Sequence, residues 1–105
     1  MPISKIITIP KLNIEVEFVV GKNAQDNFDI IDDAEPHHIW FHIEGHSSCH
    51  VIAKLEEPLD RKNVKYVIKQ GAVLCKQHSK KKKKKNIPIV YTNVENVSKS
   101  DTPGS

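Results

Sequence analysis

Between Leu12 and Phe18 the chain alternates without a break, with Leu12, Ile14, Val16 and Phe18 on one parity and Asn13, Glu15 and Glu17 on the other. Period two over seven residues is the mark of a strand with one buried face. Such a strand cannot stand alone, so the chain is committed to a sheet. IITI, before the break at Pro10-Lys11, supplies a first strand beside it, and Gly21 ends the second. The following KNAQDNFDIIDDAEP mixes turn formers with Phe28, Ile30 and Ile31, and is expected to hold a polar loop and a short helix.

A third strand is predicted over His38 to Ile43 and a fourth over Cys49 to Leu55, joined as a hairpin through Gly45-His46-Ser47-Ser48. Pro58 closes that unit. Asp60 is a suitable N-cap for a helix in which Val64, Val67, Ile68, Gly71, Ala72, Cys75 and His78 recur at spacings of three and four. The other face of that helix carries Lys62, Lys65, Lys69 and Lys76. A six-lysine run follows, then IPIVYTNVENV resumes strand character before a polar tail. Strands, a helix and more strands, with no internal repeat, predict an α+β fold. It is a single small domain, mainly an antiparallel sheet packed with one main helix and a short helix or loop. At 105 residues there is room for one core. The domain is expected over 1–98, with a basic loop at 80–86 and a polar tail at 99–105.

Charge is divided more sharply than the formal net of +3 suggests. Residues 1–60 hold four lysines against eleven carboxylates, and residues 61–105 hold twelve basic groups against two acids. A field with two poles draws a polyanion to one surface and repels it from another. With 38% apolar residues there is no membrane span, and the N-terminus lacks the apolar region of a signal peptide. The chain is therefore expected in the cytoplasm, with the nucleus as the alternative. Its two cysteines, Cys49 and Cys75, do not make a disulfide framework, and are expected as packed thiols.

The stretch HHIWFHIEGHSSCHV carries five of the six histidines and the only tryptophan. Alternation sends Ile39, Phe41 and Ile43 to one face of the third strand and Trp40, His42 and Glu44 to the other, so both faces read as covered. In the fourth, His50, Ile52 and Lys54 oppose Val51, Ala53 and Leu55. A hairpin in the matching register brings Trp40, His42 and His50 onto one side; a one-residue slip would invert this. Zinc is a minority reading. His38, His42, His46 and His50 repeat at intervals of four and Cys75 and His78 form C-x-x-H, but Ile-Trp-Phe favours strand and Gly45 interrupts any helix. Cys49 and His50 are strand neighbours that point apart, and no acid is placed to orient a serine-histidine pair. No enzymatic activity, cofactor or metal is expected.

Nucleic-acid binding accommodates more of these features together. Lysine side chains on the helix and in the run neutralise phosphates in a salt-sensitive, sequence-independent way. Bases could stack on Trp40, or on an exposed Tyr91, if either stands on the side of the lysine-bearing helix, while His42 and His50 offer hydrogen bonds. The plainer readings are a core tryptophan and a solvated lysine loop or nuclear-localisation signal.

The segments GKNAQDNFDII, HHIWFHIEGHSSCHVIAKL, GAVLCKQHSKKKKKK and IPIVYTNVENVSKSDTPG follow one another as in the NFACT-R domain. The chain resembles that domain from about Gly21 to its end. The family's glycine and basic residue match Gly21 and Lys22, its asparagine Asn27, and its W-F-H core Trp40, Phe41 and His42. The small-small-x-His segment matches Ser47, Ser48 and His50, the helix-ending serine Ser79, V-Y-T Val90, Tyr91 and Thr92, and P-G Pro103 and Gly104. The chain departs from the family at His38 and Phe28, where acids are usual. NFACT-R is the RNA-binding module of ribosome-quality-control proteins and of related coiled-coil-domain-containing proteins. The resemblance therefore implies RNA, tRNA or rRNA, as partner, with DNA as the nearest variant. A protein-interaction module docking on ribosome-associated proteins within an RNA-protein assembly is the other alternative. The residues expected to carry binding are Lys69, Lys76, Lys80, Lys81, Lys82, Lys83, Lys84 and Lys85 for phosphates, with Trp40, His42 and His50 as pocket residues.

Overall fold

A computed structural model describes residues 2–44, 49–78 and 88–97. Five strands and two helices follow in the order β1 (Ile3–Ile9), β2 (Ile14–Gly21), α1 (Ala24–Asp33), β3 (Ile39–Ile43), β4 (His50–Lys54), α2 (Arg61–Gln77) and β5 (Ile89–Asn93). A short 3-10 turn, Val94–Asn96, closes the described chain. The strands form one sheet in the order β1-β2-β4-β3-β5, with every neighbouring pair antiparallel. The α+β expectation holds, and the boundaries of β2 to β4 are met within two residues, while β1 begins three residues before IITI. The expected basic loop at 80–86 and tail at 99–105 lie outside the described residues.

The first hairpin turns at Pro10 to Asn13, where Leu12 N–H donates to Ile9 O and Asn13 takes a positive φ of 53°. Asparagine tolerates that left-handed backbone better than other residues with a Cβ. Asn23 caps α1, its side chain accepting from the Asp26 N–H, and Asp60 caps α2 in the same way through the Asn63 N–H.

Both faces of the sheet are covered. Phe18, Val20, Phe41, Val51 and Ala53 point to the face on which α2 lies, packing with Val67, Leu74 and Cys75. Ile52, Val19 and Trp40 point the other way, against Ile30 and Ile31 of α1, Ala34 just after it, and Val94. The spacing pattern in α2 locates its inner face, although Leu74, buried one turn before His78, is not among the residues that the pattern singles out. Topology accounts for this arrangement. Strands β2 and β3 run parallel on either side of β4 and are linked through α1; β4 and β5 run parallel on either side of β3 and are linked through α2. The two crossovers move the same way across the sheet from antiparallel starting strands. Two crossovers of one hand must then lie on opposite faces.

Contact between α2 and β3 is close because position 71 has no side chain. A methyl there would come within 3.0 Å of three carbons of the fully buried Phe41 ring. Gly71→Ala should therefore destabilise the domain by about 1–3 kcal/mol in chemical denaturation, overriding the roughly 1 kcal/mol that alanine gains in a helix. Phe41→Leu in the same chain should recover part of that loss, giving a non-additive double-mutant cycle; a neutral or stabilising Gly71→Ala would contradict the packing.

Candidate nucleic-acid interface

The register of β3 on β4 sets Trp40 opposite Ile52 and Phe41 opposite Val51, which brings His42 across from His50. Three rings meet on the α1 face. Trp40 and His42 stack nearly parallel with centroids 5.5 Å apart. His50 stands edge-on to both, 5.2 Å from Trp40 and 4.9 Å from His42. The sequence-derived grouping of these three side chains is therefore what the fold makes. Trp40 and His42 are half-buried, whereas His50 is only 4% exposed.

The first turns of α1 seat the cluster. Asn27, buried beside it, accepts from the His50 backbone N–H through its side-chain oxygen at 3.1 Å. Gly21, paired with His50 on β2, makes room for this; a Cβ at 21 would clash with the Asn27 side chain and its backbone nitrogen. Two ring atoms, Trp40 Nε1 and His50 Nδ1, are buried without a hydrogen-bond partner among the described residues. Each such atom costs about 1–3 kcal/mol relative to a satisfied one. Burial, and then the neighbouring His42, pushes the His50 pKa down to about 4. Burial also lowers that of His42.

The remaining histidines are mostly structural. His37 Nε2 donates to Leu55 O at 2.6 Å. His38 Nδ1 accepts from the Glu35 N–H at 3.0 Å. Among the described residues, no group of three or more His, Cys, Asp or Glu is arranged to hold a metal ion, and His46 lies outside them.

The lysines are placed differently from the sequence-derived picture of a basic helix beside the Trp/His face. Lys69 is exposed and Lys76 half-buried on α2, but α2 covers the Phe41 face, opposite Trp40, His42 and His50. Tyr91 is 52% exposed and aligns with Phe41, so it stands on the α2 side, where it borders a groove of ≈ 380 Å³ with Ile39, Leu59, Val64 and Ile68. Lysine helix and ring cluster approach each other only at one end of the sheet. There Cys75, near the C-terminus of α2, contacts Cys49, the neighbour of His50. His78 has its pKa lowered by burial first and then by the charges of Lys5 and Lys22. Lys22 follows Gly21, the strand partner of His50. Lys5 carries no signal in the sequence because it lies in the acidic half of the chain; Lys22 has one, as the basic residue expected after the second strand. Lys80 to Lys85 lie outside the described residues, but His78 before them and Pro88 after them belong to this same end, with Glu44 N–H donating to Pro88 O at 3.1 Å.

These features define a small α+β domain with a sheet covered on both faces. A family model described as the NFACT protein RNA-binding domain matches residues 13–105, and the chain belongs to that family. The resemblance drawn from its short motifs is borne out, and RNA is the partner class that the family's description names. Over 83 residues the chain is 34% identical to coiled-coil domain-containing protein 25 of Mus musculus, and equally to that of Bos taurus. Each match takes in 77% of this chain and 40% of the relative, so the chain spans about two-fifths of the length of these curated relatives. The solved C-terminal part of the fibronectin/fibrinogen-binding protein from Streptococcus suis shares the fold, with a TM-score of 0.70 at 22% identity, over 86% of this chain and 36% of that one. Among the described residues no helix is long and apolar enough to cross a membrane.

Keeping His50 neutral makes stability depend on pH. In the unfolded chain its imidazole takes a proton below about 6.5, whereas in the fold it resists protonation until about 4. Stability is then whole above pH 6.5 and falls as the pH drops toward 4, by up to about 3 kcal/mol from this group. Urea titrations at pH 7 and pH 4.5 should show that loss, and His50→Leu should show less of it; an equal pH dependence in both chains would mean that His50 is not held neutral.

Proposed function

We propose that this domain is an RNA-binding module, with tRNA or rRNA as ligand, which grips its partner at the end of the sheet where α2 finishes. The arrangement around Lys22 carries the reading: this exposed residue follows Gly21, the strand partner of His50, and its charge reaches His78 at the end of α2. Phosphates would be neutralised by Lys80 to Lys85, with Lys76, Lys69, Lys22 and Lys5 extending the basic surface. Trp40, His42 and His50 would form the base-facing part, reached by a strand that passes over the end of the sheet. Their unpaired ring atoms are enclosed, so a base would reach them only by displacing neighbouring side chains; the half-buried faces of Trp40 and His42 would be met first. The role is binding and positioning, with no chemical step of its own, and ribosome-associated proteins would meet the remaining surface.

Fluorescence anisotropy of labelled tRNA at several salt concentrations tests this. The wild type should bind saturably and weaken as salt rises, and alanine at Lys80 to Lys85 should lower the log–log slope by up to about 5, at roughly 0.7–0.9 for each phosphate that is no longer neutralised. Trp40→Ala should weaken binding with the slope unchanged. Equal competition by DNA of the same sequence would turn the reading to nucleic acids in general, and absence of binding at low salt would overturn it in favour of a protein partner.

A further inference from the structure

The two cysteines are separated by 26 residues in sequence, yet the fold sets them side by side. Cys49 immediately precedes β4 and Cys75 lies in the last turns of α2. The Cys49 thiol donates to Cys75 O at 3.5 Å and the Cys75 thiol to Cys49 O at 3.8 Å. Each sulfur thus lies against the backbone of the other cysteine, the proximity that a disulfide between them needs. We propose that Cys49 and Cys75 form a reversible modification site, a dithiol that hydrogen peroxide converts to an intramolecular disulfide joining the end of α2 to the start of β4. This goes beyond RNA binding and does not depend on it.

The environment assigns the two sulfurs different parts. Cys49 is 8% exposed, enough to meet a small oxidant, while Cys75 is wholly enclosed. The neighbouring Cys75 side chain favours the thiolate at Cys49, while Cys49 first, and burial second, keep the Cys75 proton in place. Cys49 sulfur, as thiolate, attacks one oxygen of the peroxide. The O–O bond breaks, hydroxide leaves and takes up the proton released by Cys49, and Cys49 becomes a sulfenic acid with one molecule of water formed. Cys75 sulfur then gives up its proton and attacks Cys49 sulfur. The S–S bond forms, the S–O bond breaks, and hydroxide departs with that proton as a second water. Two electrons pass from the thiols to the peroxide, and an external dithiol returns them by exchange.

The bond would fasten the helix end from which the chain enters residues 79–87 to the strand that carries His50. The experiment is oxidation of the folded full chain with hydrogen peroxide, followed by intact-mass measurement and peptide mapping. The expected product is a monomer lighter by two hydrogens, with Cys49 and Cys75 in one linked peptide pair and full reversal by dithiothreitol. Cys75→Ser should stop at a Cys49 sulfenic acid that dimedone traps, and Cys49→Ser should form no link within the chain. Oxygen addition at Cys49 without a link, pairing only between chains, or thiols unchanged by peroxide would each overturn the proposal. The wild-type product decides the question even if a serine variant fails to fold.

Discussion

The order β1-β2-β4-β3-β5 is the constraint on which the rest of the molecule depends. Once β4 lies between β2 and β3, and β3 between β4 and β5, each helix must cross over the strand enclosed by its pair, and a common hand sends the two helices to opposite faces. The inner strands are then buried on both sides, which is why β4 reads His-Val-Ile-Ala with every side chain enclosed. Burial on both faces supplies the hydrophobic term that holds so short a chain together. It also encloses an imidazole, His50, under α1.

That enclosed imidazole has an energetic cost, visible as a pKa drawn down to about 4 and a ring nitrogen without a partner among the described residues. The surroundings compensate with contacts of ring on ring and with the bond from the His50 backbone to Asn27. Asn27 can make that bond only because Gly21 leaves the space. Glycine, asparagine, tryptophan and histidine thus make one unit of packing, although they lie on three strands and a helix.

Local periodicity makes much of this legible. Alternation in β3 and β4, with the turn signal at Gly45, places Trp40, His42 and His50 on one side, and the fold keeps them there. The spacing of Val64, Val67, Gly71 and Cys75 marks the inner face of α2, and Asp60 its start. Which face of the sheet α2 covers is not legible, because that depends on strand order and crossover hand rather than on any local pattern; hence the sequence suggests a lysine-bearing helix beside the tryptophan when it lies behind it. The contribution of Lys5 is hidden for a related reason: it is carried by β1, far in sequence from His78, and only the sheet brings the two together. Cys49 and Cys75 read as packed thiols, and their mutual contact depends on the same long-range pairing.

The central claim is that the end of the sheet shared by Lys22, His50 and His78 meets RNA. Amide chemical-shift mapping of the isotope-labelled chain with a short single-stranded RNA addresses it most directly. The expected result is that shifts concentrate at Lys22, Asn27, His42, His50 and His78 and leave the opposite end, from Pro58's neighbours through Val64, unchanged. Shifts confined to Leu59, Val64 and Tyr91, around the groove between α2 and β5, would contradict it.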